Sequence, residues 1–136
     1  MKRVLVRGVL AALLAVVVTT LVGALARALG VDFEVADGEP IPLGGISVVT
    51  GYFSCVGVVL ATALHRWSAR PARRFVQTTV TLTAVSLVPP LLASADLATA
   101  VTLVVLHLVA AAVVIPVLAR SLDRAPGPVP EPVSPR

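Results

Sequence analysis

The chain has 136 residues, of which 57% are hydrophobic and only 13% charged, with a mean hydropathy of +0.99. A single domain of this length cannot hide so much apolar surface in a soluble core, so lipid is the expected surrounding for most of it. The formal net charge of +4 does not point to nucleic acid: the basic residues sit in short clusters between apolar runs, with almost no aromatic side chains among them to stack on bases.

Lys2, Arg3 and Arg7 lead into the first apolar run, residues 8–29. At about 20 residues, such a run suits a helix crossing the hydrocarbon core. Met-Lys-Arg, the apolar run and Ala24-Leu25-Ala26 together imitate a signal peptide with an A-x-A cleavage site. The run is longer than the roughly 7–15 apolar residues of a signal peptide, so the first helix is expected to stay in place. Cleavage would leave three spans. Arg27, near the far end of this run, is the one basic residue away from the basic clusters. It is expected either to snorkel to the interface or to pair with Asp32, Glu34 or Asp96.

The first loop carries Asp32, Glu34, Asp37 and Glu39 and no basic residue. Its alternation Val31-Asp32-Phe33-Glu34-Val35, followed by Asp37-Gly38, is compatible with a short strand or hairpin over the mouth of a bundle. A second apolar run covers 43–64 and carries small residues: Ser47, Gly51 and Cys55 at helical spacing, with Ser54, Gly57 and Ala61 nearby. Small residues let backbones approach closely in lipid, which serves either bundle folding or dimerisation. The lone Cys55 has no intramolecular disulfide partner.

Arg66, Arg70, Arg73 and Arg74 fill the next loop beside Trp67. That composition orients a chain and rests on anionic headgroups. The third run, 75–92, contains Pro89-Pro90 near its end. Regular helix up to Val88 would reach only about 21 Å at about 1.5 Å per residue, so the remaining depth calls for a kinked or irregular stretch. The fourth run, 97–118, has Ser94 as its expected N-cap and Asp96 in its first turn, where the helix dipole favours an anion. His107 lies at its centre, and Pro116 is expected to kink its far end.

An ionisable side chain at membrane depth is a functional-site hypothesis in its own right. The alternative is a neutral imidazole bonded across to a neighbouring helix, with Thr79, Thr83 and Ser86 on one face of the third run as partners. One histidine cannot make a metal site, which needs three or four converging ligands, and no acid–base pair is evident. No catalytic residue, cofactor or metal is expected. The segment 123–136, with proline at nearly every second position from Pro126 to Pro132, is read as a disordered cytoplasmic tail.

Together these features describe an all-α integral membrane four-helix bundle over residues 1–122. Lys and Arg translocate poorly, so the three basic segments place both termini and the Arg66–Arg74 loop in the cytoplasm and the acidic loop outside. Arg outnumbers Lys ten to one amid abundant Ala and Val, a bias of GC-rich bacterial genomes. The expected location is therefore a bacterial cell membrane.

Ala26-Arg27-Ala-Leu-Gly-Val-Asp-Phe-Glu-Val35, Ser86-Leu-Val-Pro-Pro90 and Leu106-His107-Leu108 before Ile115-Pro116 resemble one family. It comprises small four-helix actinobacterial membrane proteins, known as domain of unknown function 6069. The resemblance covers about residues 8–120. It implies four spans and a retained first helix, and it carries no activity to transfer. Arg27, Asp32, Asp96 and His107 remain the candidate polar residues. The leading expectation is a non-enzymatic accessory or structural membrane protein, with a membrane-protein partner or a second copy as possible company. The alternative is a small transporter or proton-coupled permease subunit using Arg27, Asp96 and His107.

Overall fold

The computed structural model describes residues 2–35 and 38–124, so all but the first two residues of the expected tail lie outside it. Five helices follow in order: α1 Lys2–Ala28, α2 Leu43–Trp67, α3 Pro71–Ser86, α4 Val88–Ala93 and α5 Leu97–Asp123. Since α3 and α4 continue one another over Pro71–Ala93, four helical segments are long and apolar enough to cross a membrane. Among the described residues there is no strand, only two isolated bridges.

The helices outrun the apolar stretches that forecast them. The 27 residues of α1 reach about 40 Å at about 1.5 Å per residue, against a hydrocarbon core of about 30 Å. Lys and Arg are good helix formers, so Lys2, Arg3 and Arg7 extend α1 and Arg66 extends α2 instead of ending them. Similarly, α5 passes through Pro116 and continues to Asp123.

The double proline acts differently from a simple terminus. Helix α3 starts at Pro71, a position where a missing amide costs nothing. It ends where the Leu87 amide bonds back to the carbonyls of Thr83 and Ala84. Pro89 and Pro90 then fall within the opening turn of α4, again where no amide partner is needed, and helix resumes after one residue. The break is therefore short, and the segment keeps its reach.

Helices α2 and α5 occupy the middle of the bundle and touch each other, α1 packs on both, and α3 packs on both from elsewhere. Among the described residues α1 and α3 do not meet. One core cluster lies toward the basic end, where Val4, Val58, Phe75, Leu118 and Leu122 are buried together. A second, smaller one surrounds Phe33, Ile46 and Leu106 at the opposite end.

Helix α1 enters this packing with a stripe of small residues. Gly8, Ala11, Ala12, Ala15, Thr19 and Gly23 are all buried, while Leu10, Leu13, Leu14, Val17 and Leu21 face outward. A Cβ on Gly8 would stand 2.8 Å from Val58 Cγ2 and 3.1 Å from Leu118 Cδ2. Hydroxyls reinforce the seam. Thr20 and Ser47 share a 2.7 Å hydrogen bond, and Thr19 donates to Thr50 at 3.3 Å as well as to its own helix. On α2 the small residues point the same way, with Ser54 and Ala61 buried, but Cys55 is exposed and stands off the seam.

Adding bulk at Gly8 tests this packing. Overfilling a tight contact costs about 1–3 kcal/mol, more than the helix propensity regained on losing a glycine. Gly8→Leu is expected to lower Tm in detergent by several degrees, followed by circular dichroism. Gly44→Leu, where a Cβ meets nothing within 4 Å, should leave it unchanged or higher.

Candidate functional site

His107 lies ten residues into α5, while Arg27, Asp32 and Asp96 lie toward the end of the bundle where α1 passes to α2 and α4 to α5. Helix α1 closes there with a Schellman motif. The Val31 amide reaches the Ala26 carbonyl at 3.1 Å and the Gly30 amide the Arg27 carbonyl at 3.0 Å. Gly30 adopts φ 93, the left-handed geometry that this motif needs and that glycine takes without penalty.

The chain then turns inward at Phe33, a non-glycine residue at φ 59. A bulky side chain rarely holds that conformation, which costs of order 1–3 kcal/mol. Burial offsets the strain: Phe33 is 0% exposed and packs on Ile46 and Leu106, with Val22, Ala26, Val31, Ile41, Leu43 and Leu103 around it. The returning end of the loop fastens it, because the Ile41 amide donates to the Phe33 carbonyl at 3.0 Å. Bridges Glu34–Pro40 and Val35–Ser94, with the Ala95 amide on the Glu34 carbonyl at 3.0 Å, tie the loop to the α4–α5 connection. The alternating loop is thus a short two-sided lid whose inward residue is Phe33.

Arg27 serves that lid. Its guanidinium donates to the Ile41 carbonyl at 2.9 Å and lies 5.8 Å from the Phe33 ring centroid, a cation–π distance. Among the described residues its contacts are therefore a carbonyl and a ring face, in place of the carboxylate expected from Asp32, Glu34 or Asp96. Asp32 is exposed immediately before Phe33.

Asp96, not Ser94, caps α5. Its backbone is extended (φ −141, ψ 164), and its carboxylate accepts from the Thr99 amide and the Thr99 hydroxyl, each at 2.8 Å. Those bonds hold the Asp96 carboxyl below its ordinary range. Ser94 instead turns its hydroxyl back to the Pro90 carbonyl, ending α4. An Asp with an extended backbone and a hydroxyl residue three positions on is the stronger cap, so the expected order of cap and first turn shifts by two residues.

His107 is half-buried beside Leu106, and its Nδ1–H donates to the Leu103 carbonyl of its own helix at 2.9 Å. The expected bond across to the third segment is not made. Thr79 donates to the Phe75 carbonyl at 2.7 Å and Ser86 to the Thr83 carbonyl at 2.8 Å, so those hydroxyls are spent locally. Among the described residues, no buried side-chain nitrogen or oxygen lacks a hydrogen-bond partner. No group of three or more His, Cys, Asp or Glu within them is arranged to hold a metal ion.

Arg27, Asp96 and His107 thus each belong to a different local structure: a lid clamp, a helix cap and an intrahelical bond. Phe33, which organises the lid, was legible only as an apolar residue in an alternating loop. The cap is the part with a clear acid response. A carboxyl whose folded-state value is depressed stabilises fully above its unfolded value near 4, and this contribution fades as pH falls through the lower folded-state value. Asp96→Ala is expected to lower Tm in detergent by a few degrees at pH 7 and to flatten the fall in Tm below pH 4. Asp96→Asn should keep the cap at pH 7 while losing the same acid response.

No curated protein and no solved structure matches the chain. A family profile does: it matches residues 1–124, through all five helices and the lid, and the chain belongs to that family, described as a family of unknown function (DUF6069).

Proposed function

We propose that the chain is a non-enzymatic, four-span component of the bacterial cell membrane with an accessory or structural role. Both termini and the Arg66–Arg74 loop face the cytoplasm in this reading, and the Phe33 lid faces outward. The surface supports the placement. Leu13, Leu21, Tyr52, Phe53, Val59, Leu82, Val101 and Leu108 stand exposed on the helix flanks, where hydrocarbon would solvate them and water would not. Every basic residue in the described chain except Arg27 lies at the end opposite the lid, as the retention of Lys and Arg in the cytoplasm requires.

The single observation that carries the accessory role is how the polar groups are spent. His107 bonds to its own helix, Arg27 clamps the lid, and Asp96 caps α5. A proton or solute pathway needs groups free to exchange partners along a wet path. The transporter alternative would use these same three residues, and their local bonds weigh against it.

Proton flux into liposomes loaded with a pH-sensitive dye provides the test. Reconstituted protein is expected to match empty liposomes, and His107→Leu should express, fold and behave identically. A flux above background that His107→Leu abolishes would overturn the accessory reading in favour of the transporter. Orientation is tested separately with an N-terminal epitope, which is expected to stay protected in intact spheroplasts. Labelling from outside would invert the topology.

A further inference from the structure

At the basic end, opposite the lid, an open groove of about 350 Å³ runs between α1 and α5. Its walls are two matched stripes. Helix α1 contributes Arg7, Leu10, Ala11 and Leu14, and α5 contributes Val117, Arg120, Ser121 and Arg124. Both follow i, i+3, i+4, i+7 spacing, so each stripe occupies one helix face.

The two helices run antiparallel, which sorts the lining by depth. Arg7 sits near the start of α1, while Arg120 and Arg124 sit at and just beyond the end of α5, so the three guanidinium groups belong to the rim. Leu10, Leu14 and Val117 lie further in, below them. Among the described residues, no acidic residue lines the groove. Ser121 is buried and donates to the Val117 carbonyl at 2.7 Å, so its hydroxyl is already occupied. The start of α1 adds a partial positive charge at the same level, offsetting the partial negative charge at the end of α5.

We infer that this groove is a binding site for an anionic phospholipid. The phosphate would lie among Arg7, Arg120 and Arg124, and the upper part of one acyl chain would lie along Leu10, Leu14 and Val117. Charge complementarity selects the occupant. Three guanidinium groups at headgroup depth match a phosphate with bidentate geometry, and an apolar floor directly beneath matches the chain joined to it. A soluble phosphate would use the rim and leave the floor bare. A zwitterionic lipid would fill the floor but bring no net charge to the rim. The volume lies at the low end of the roughly 300–1,000 Å³ of small-molecule sites, and the open side leaves the rest of the lipid in the bilayer. This site is separate from the Arg66–Arg74 loop, and the inference rests on the membrane placement proposed above.

The full-length protein, purified in detergent, is tested by native mass spectrometry and thermal melts with dioleoyl phosphatidylglycerol or dioleoyl phosphatidylcholine. The phosphatidylglycerol adduct is expected to survive delipidation at least tenfold better than the phosphatidylcholine adduct and to raise Tm. Arg7→Gln/Arg120→Gln/Arg124→Gln should abolish that preference, while Arg66→Gln/Arg73→Gln/Arg74→Gln should retain it. Leu10→Trp, which fills the floor and keeps every charge, should also weaken the adduct while the melt without lipid stays cooperative. Equal retention of both lipids, a preference lost only in the loop variant, or displacement of the lipid by millimolar glycerol phosphate would each overturn the groove assignment. A chain that stays monodisperse without detergent would instead overturn the membrane reading itself.

Discussion

Close approach of α1 to its neighbours is the constraint from which the rest of the architecture follows. Hydrocarbon offers no hydrophobic gain for pressing one apolar helix against another, so association in lipid must come from packing and from hydrogen bonds between helices. Gly8, Ala12, Ala15, Thr19 and Gly23 remove side-chain volume along one line of α1. Val58 of α2 and Leu118 of α5 fill the space at Gly8, and Ile46 of α2 reaches to 3.3 Å from where a Gly23 Cβ would stand. The Thr20–Ser47 and Thr19–Thr50 contacts are short enough to form only because the backbones are this near. With α1 seated against both α2 and α5, α3 has only the remaining faces of the same two helices to pack on.

The seam also explains why the two ends of the bundle differ. Toward the lid end, Ile46 and Leu43 of α2 close on Gly23, and the loop supplies Phe33 from outside the helices to pack on Ile46, Leu106 and Ala26. A left-handed backbone at an aromatic residue is an expensive way to deliver a ring. Arg27, the Ile41 amide and the bridge to Ser94 show how thoroughly the surrounding chain commits to that position. At the basic end no loop folds back over the gap between α1 and α5 within the described residues, and the gap remains an open groove rimmed by arginine.

Hydropathy and charge were enough to place the four apolar segments, because runs of Leu, Val and Ala this long have few alternatives and arginine clusters mark where they emerge. The same signals misplaced the helix ends. They register solvent preference, whereas helix propensity carried α1 back to Lys2 and α2 on to Trp67. Pro89-Pro90 was read as a disruption because proline is costly inside a helix, but the cost vanishes in a first turn, and the chain starts a new helix there. The polar residues were found but their partners were not. Arg27, Asp96 and His107 are conspicuous by type, while the groups they bind are mostly backbone atoms, and a sequence does not announce which carbonyl or amide will be near. Phe33 was harder still, since one phenylalanine in an acidic loop looks like an exposed residue until the apolar cluster that receives it is known.

The distribution of satisfied and unsatisfied chemistry bears on what such a bundle does. At the lid end, Arg27 and Asp96 are exposed but bonded to the chain itself, the Phe33 ring is buried, and opening the lid would expose Phe33 and sever the Ile41 bonds together. A device that cycles would gain from a lid held by fewer linked contacts, because each cycle must break all of them. At the basic end the three groove arginines lie on the surface, and their lining neighbours are apolar or internally bonded. Among the described residues the exposed charge at the lid end is acidic, from Asp32, Glu34 and Glu39, so the basic end is the side that offers positive charge to an outside partner. A bundle fastened by linked contacts at one end and rimmed with arginine at the other supports the proposed accessory reading more than a route for a solute from one face to the other.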